Sequence, residues 1–287
     1  VRNGGPSLRH LVVRGNRSLG KGGGLFNTGD TSLQDVVFAD NRGGGEGGAI
    51  ASEGGRLTIS RATLTRNRSF VSGGGLYVSD SEPIVVNTVI AGNEAAGVGG
   101  GVFLFGISDS DPRFVNVLVS GNRSVSEGGG MALLSVYGFD LINVTVTGNA
   151  ANVAGGIYLD DGSGIDLINS ILWGNADDTP IPLDGIVTLR PPTAVTVRSS
   201  IVQHSGGSAA WDGGAGIDGG DNTDVDPLFV STLDSTLAPT SDGNYRLQVG
   251  SPGIDTGSNG ENDSSTALDG EARVQGAGID RGTYESP

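Results

Sequence analysis

Apolar residues recur in this chain at fixed offsets from an asparagine that returns every 25 to 29 residues, at Asn16, Asn41, Asn67, Asn93, Asn122, Asn149 and Asn175. Eight positions before each stand Leu8, Leu33, Ile59, Val85, Phe114, Leu141 and Leu167. Three positions before stand Val13, Phe38, Leu64, Ile90, Val119, Val146 and Leu172, and neither column holds a polar residue. Between them, five before, lie Leu11, Val36, Ala62, Thr88, Val117, Val144 and Ser170, mostly small. Alternation at minus five and minus three is the period-two pattern of a strand with one buried face. The odd step from minus eight to minus five requires a bend, and at minus six four consecutive repeats place Asn87, Asn116, Asn143 and Asn169. Asn tolerates the left-handed conformation, and stacked amides can hydrogen-bond from coil to coil, so this column predicts an Asn ladder.

Six of the seven asparagines are followed by glycines, ending at Gly24, Gly48, Gly75, Gly101, Gly130 and Gly156, that open another apolar run. There Leu25, Ala49, Leu76, Val102, Met131 and Ile157 are expected to point inward. The next residues, Phe26, Ile50, Tyr77, Phe103, Ala132 and Tyr158, are expected to form an outward apolar and aromatic stripe. Three short strands in about 26 residues, with glycine corners and no helical period, predict an all-β chain: a right-handed parallel β-helix, or solenoid. The regular coils are expected over 1–205. Residues 206–287, where the period fails, read as irregular coils or a cap of the same elongated unit.

Composition narrows the partners. Residues 1–100 carry ten Lys+Arg and eight Asp+Glu (+2), and residues 101–287 carry seven and twenty-four (−17), giving the net −15. Such acidity argues against nucleic acid, and no stretch is apolar enough to predict a transmembrane segment. The absence of cysteine excludes disulfides and thiolate metal sites. No signal peptide is visible before the first coil, which starts close to Val1. The expectation is a processed or truncated product whose open coil end meets an upstream segment or another subunit.

The unit G-N-x-S…G-G-G-L-F at 15–26, returning at 66–77 as R-N-R-S…G-G-G-L-Y, resembles the repeats of polymorphic outer-membrane proteins. The stretches Asp226–Val230, Asn244–Leu247, Gly250–Asp255 and Gly278–Glu285 resemble bacterial choice-of-anchor proteins of the Q type. These resemblances imply a β-helix exported to the extracellular space or cell surface, and bring no catalytic motif with them.

Candidate chemistry is sparse. Glycoside hydrolysis needs paired carboxyl groups, and Asp160-Asp161 and Asp177-Asp178 are adjacent acidic pairs near predicted strand ends. Asn222-Thr223-Asp224 is similar to a polygalacturonase motif, but the order of the motifs is reversed and the later ones are missing. Oxygen ligands for calcium cluster at Asp218, Asp221, Asn222, Asp224 and Asp226, with a second group at Asp109-Ser110-Asp111. No cofactor is required by the pattern. The expected function is a non-enzymatic structural or adhesive solenoid that self-associates, as a filament or side to side, or contacts a surface polysaccharide. The alternative is a polysaccharide lyase, glycoside hydrolase or carbohydrate-binding β-helix.

Overall fold

The computed structural model describes residues 5–108, 111–160, 162–178, 186–188, 194–262 and 264–286. The chain winds as a parallel β-solenoid of about seven turns, each coil contributing to three sheets. The first sheet, of 13 strands, starts at Ser7–Arg14 and ends at Ile217–Asp218. The second has seven two-residue strands, from Arg17–Ser18 to Ala176–Asp177. The third also has seven, from Leu25–Asn27 to Ile186–Thr188.

Each coil turns at three left-handed residues. One column has positive φ at His10, Asp35, Arg61, Asn87, Asn116, Asn143 and Asn169. A second precedes the repeat Asn at Gly15, Asp40, Arg66, Gly92, Gly121, Gly148 and Gly174. The third opens the glycine triplet at Gly22, Gly47, Gly73, Gly99 and Gly128, with Ala154 in the sixth coil. The left-handed region costs a side-chain-bearing residue roughly 1–2 kcal/mol. In the first coils exposed ion pairs along the corner offset part of this cost: Arg61 holds Asp35 at 2.6 Å, and Arg14 and Arg66 each hold Asp40 at 3.0 Å. At the third corner the coils stack so closely that a Cβ on Gly74 would lie 2.3 Å from the Gly100 carbonyl oxygen.

The interior is filled by the predicted columns. Leu33, Ile59, Val85, Phe114, Leu141 and Leu167 are fully buried, as are Leu64, Ile90, Val119, Val146 and Leu172. Polar residues in the narrow column are satisfied locally: Thr88 donates to the Val86 carbonyl, and Ser170 donates to Ile168 and accepts from the Val144 N–H. At the first coil the corresponding Leu8 and Val13 are only half-buried and Leu11 is 40 % exposed.

The third-sheet register corrects one residue of the outward stripe. Ile50 pairs with Leu25 and Leu76 and is fully buried in the core, so Ala51 occupies the outward slot between Phe26 and Tyr77. The reason lies in the triplet. Ala49 stands where other coils have the third glycine: the Gly24 N–H donates to its carbonyl and its own N–H donates to Gly75. Counting from the last glycine therefore starts one residue early in this coil.

Residues 206–224 complete a last partial turn, with Trp211 packed against the end of the core. The chain then runs back along the outer face of the first sheet. Its antiparallel pair, Phe229–Ser231 with Asn244–Leu247, sets Phe229 edge-on to Tyr245 at 5.4 Å, over Leu118, Ile171 and Ile201. Burial there pushes the Tyr245 hydroxyl up to about 12.

Candidate functional site

Two amide ladders run along the rod. The continuous one is formed by the repeat asparagines themselves. From Asn16 to Asn149, each donates both its backbone N–H and its Nδ2 to the Oδ1 of the Asn one coil on, at 2.9–3.1 Å. From Asn41 onward, Nδ2 also donates to a carbonyl of the preceding coil, as from Asn93 to Leu64 at 2.9 Å. The signal for this ladder was the strict recurrence of Asn, which served as the numbering origin and was not itself read for chemistry.

The ladder expected at Asn87, Asn116, Asn143 and Asn169 is shorter, and it is a docking strip for the chain's own tail. Asn116 donates to Asn87 at 2.8 Å and Asn143 to Asn116 at 3.1 Å. Beyond that the column meets residues 258–266: Asn169 pairs with Ser258 in both directions, Asn143 donates to Asn262, and Asn116 and Asn87 donate to Thr266. The tail climbs back about one coil for every four residues.

The C-terminal motif holds the tail down. The buried Arg281 donates to the carbonyls of Thr256, Ser200 and Asp221 and to the Thr223 hydroxyl. Arg273, 1 % exposed, donates to the carbonyls of Asp280 and Gly282 and lies 3.1 Å from Glu285. Desolvation lowers Arg273 to about 10 and raises Glu285 to about 7.

The outward column of the third sheet reads Phe26, Ala51, Tyr77, Phe103, Ala132 and Tyr158. Small residues at Ala51 and Ala132 leave room for the rings to lie against the sheet, so Tyr77 and Tyr158 are only 6 % and 5 % exposed. Lys21, held by Glu53 and Glu46, sits over the Tyr77 ring at 5.2 Å, and its bond to Glu53 raises its pKa. Phe103 bridges Tyr77 and Phe105, with ring centroids at 5.7 and 6.4 Å. The open part of the face is Phe26 and Phe105, 48 % and 42 % exposed. Phe105 comes from a second outward column, with Leu134 beside it, that the sequence reading had not singled out.

The acidic candidates are divided among faces. Asp160 ends a third-sheet strand and accepts from the Tyr158 hydroxyl. Asp177 belongs to the second sheet and accepts from the Ala154 N–H. Asp177 and Asp178 border a groove with Arg123 beneath residues 235–238, a groove that Asp160 does not line. Asp161 lies outside the described residues, as do Asp109 and Ser110, and Asp111 pairs with Arg113 at 3.0 Å.

In the other oxygen-rich turn, Asp218 accepts from the Ser208 hydroxyl, the Gly220 N–H and the Asn222 amide, and the first two of these bonds hold it below the usual carboxylate range. Asp224 accepts from the His204 and Gly206 N–H groups and Asp226 from Leu228. Asn222 accepts from the Ser200 N–H and donates to Val197, and Asp221 lends its carbonyl to Arg281. Donors of the chain itself thus take oxygens that a calcium ion would need. Among the described residues no group of three or more His, Cys, Asp or Glu is arranged to hold a metal.

No helix among the described residues is long and apolar enough to cross a membrane. No curated protein matches the chain. Residues 35–53, from one left-handed bend through the glycine corner to the end of the third-sheet strand, match the Chlamydia polymorphic membrane protein (Chlamydia_PMP) repeat. Over that coil the chain is similar to a repeat of surface proteins, and its parallel β-solenoid fits a structural protein of that type.

Proposed function

We propose that the chain is a cell-surface structural rod that adheres side by side to a second copy through the apolar face of the third sheet. The observation that carries this reading is the apolar row of that face: Tyr77, Phe103 with Phe105, and Leu134 lie on three successive coils, Phe26 lies beyond Ala51 in the same column as Tyr77, and the Phe26 and Phe105 rings are open to solvent. An apolar row of this length is a contact surface in search of a partner. Burying each phenylalanine contributes roughly 1.5–3 kcal/mol. Replacing Phe26 and Phe105 together with glutamate should therefore weaken association by roughly a hundredfold or more. Sedimentation velocity across a concentration series reads this directly. A wild-type chain that remains a single rod at the highest soluble concentration would refute the reading.

A further inference from the structure

Along the second sheet, the outward column next to the buried Asn ladder reads Arg17, Arg42, Arg68, Glu94, Arg123, Ala150 and Ala176. Each directly follows a ladder asparagine, so the ladder fixes the row. Successive side chains leave the sheet one strand spacing apart, about 4.8 Å. The chain has 32 acidic residues for 17 basic ones, and elsewhere most of the described surface arginines are claimed by carboxylates, as in Arg56–Glu82, Arg61–Asp35 and Arg198–Asp166, while Arg9 donates to the Ser7 hydroxyl. This row differs. Arg17, Arg42 and Arg123 are exposed and form no ion pair among the described residues. Arg68 reaches Glu94 at 3.4 Å, stacks on Phe70, and keeps a buried Nε with no acceptor. Arg42, Arg66 and Arg68 border a groove closed on one side by Pro239 of the returning tail; Asp40, paired with Arg66, and Glu94 line it too, which leaves Arg42 as its unpaired cation among the described residues.

We propose that this arginine row binds a linear acidic polysaccharide, carboxylated or sulfated, laid along the rod axis. Three consecutive coils, at Arg17, Arg42 and Arg68, call for collinear anions at about one per coil; Glu94 interrupts the row before Arg123, which shares its groove with Asp177 and Asp178. A second copy of the chain is a poor match, because no column of the strand registers stacks three carboxylates; the longest acidic run is Asp140 beside Asp166. Duplex nucleic acid carries about one charge per 1.7 Å, far denser than the row, and meets the repulsion of a net −15. A polymer with one charge per sugar unit asks less of that field, which salt screens beyond about 8 Å at physiological strength. Guanidinium groups suit both carboxylate and sulfate through paired N–H donors.

The test is fluorescence anisotropy with the full chain, using labelled oligogalacturonate and a labelled chondroitin sulfate oligosaccharide, with neutral dextran and duplex DNA as comparators. Binding of at least one acidic oligosaccharide, weakening as salt rises, is expected. Arg42→Gln should weaken it about tenfold and Arg17→Glu with Arg42→Glu about a hundredfold, while Arg56→Gln leaves it within about twofold. These side chains are exposed, so melting temperatures should be unchanged and a loss of binding will not be a loss of fold. Phe26→Glu with Phe105→Glu should bind as the wild type does, which separates this site from the apolar face. Failure of both acidic polymers to bind at low salt would overturn the proposal, as would binding indifferent to the Arg17 and Arg42 changes. DNA bound as tightly with the same arginine dependence would also overturn it, as would self-association that those changes abolish without any polysaccharide binding.

Discussion

Replacing Asn93 with alanine removes four hydrogen bonds from the middle of the buried ladder. Its Nδ2 donates to the Leu64 carbonyl and to Asn122, and its Oδ1 accepts both the N–H and the Nδ2 of Asn67. The Asn67 amide keeps the Phe38 carbonyl and Asn122 Oδ1 keeps the Asn93 N–H, but the Asn67 backbone N–H is left buried with no acceptor. A stranded buried donor costs about 1–3 kcal/mol and each of the three further lost bonds about 0.5–1.5 kcal/mol, giving roughly 2.5–7.5 kcal/mol in all. Asn16→Ala is the internal reference. At the exposed end of the ladder its side chain makes only two donations, to Arg14 and Asn41, so its loss should cost about 1 kcal/mol. Urea denaturation followed by circular dichroism and by tryptophan fluorescence measures both, and two probes are needed because repeat arrays can unfold in stages. A cost for Asn93→Ala no greater than that for Asn16→Ala would refute the view that the buried ladder holds the coils in register. Asn93→Asp should be worse than alanine, since an ionised carboxylate has no donor for Leu64 and faces Asn122 Oδ1.

The tail lock gives two further expectations. Arg281→Ala strands carbonyls of Thr256, Ser200 and Asp221, and should release residues 226–286 to limited proteolysis while the coils stay resistant; a digestion pattern like that of the wild type would contradict the assignment. Glu285 titrates at about 7 in the folded chain against 4.5 for an unperturbed glutamate, because burial outweighs the pull of Arg273. The folded chain therefore keeps a proton that the unfolded chain has released. This contribution is fully present below about pH 4.5, is lost as pH rises to about 7, and is level above. Protection factors of the tail amides, with the intrinsic base-catalysed rise in exchange divided out, should fall across that window in the wild type and not in Glu285→Gln. Protection that is flat or increases from pH 5 to 7 would count against the buried carboxyl.

The coil was legible because its interior repeats. Phe114 and Leu141 sit where the offset from Asn122 and Asn149 puts them, and the bend at Asn87, Asn116 and Asn143 follows from the odd step between apolar positions. Two other bends were hidden, since Asp40 and Arg66 adopt a conformation usually left to glycine and are held there by pairing with each other across coils. Ile50 was misplaced because Ala49 substitutes for a glycine, a change invisible to a count made from glycines. The return of the tail was illegible for a different reason: its contacts, such as Arg281 with Ser200, join residues far apart in sequence with no period to announce them. The arginine row was in plain view as the residue after each Asn, but only the register shows that these side chains share one line, and only the folded chain shows that three of them form no ion pair among the described residues.

The returning tail also changes how the rod bears load. Coils that touch only their neighbours peel from an end one at a time, each needing only its own few bonds to break. Here a strap fastened at Ser200 and Asp221 touches the column at Asn169, Asn143, Asn116 and Asn87 and reaches Arg66 through Ser241. Bending the rod away from the strapped sheet stretches that strap and shears many contacts at once. Bending toward it only compresses the strap. A rod built this way has a stiff side and a compliant side, so a bending load free to choose its direction curves it toward the strapped face and not away from it.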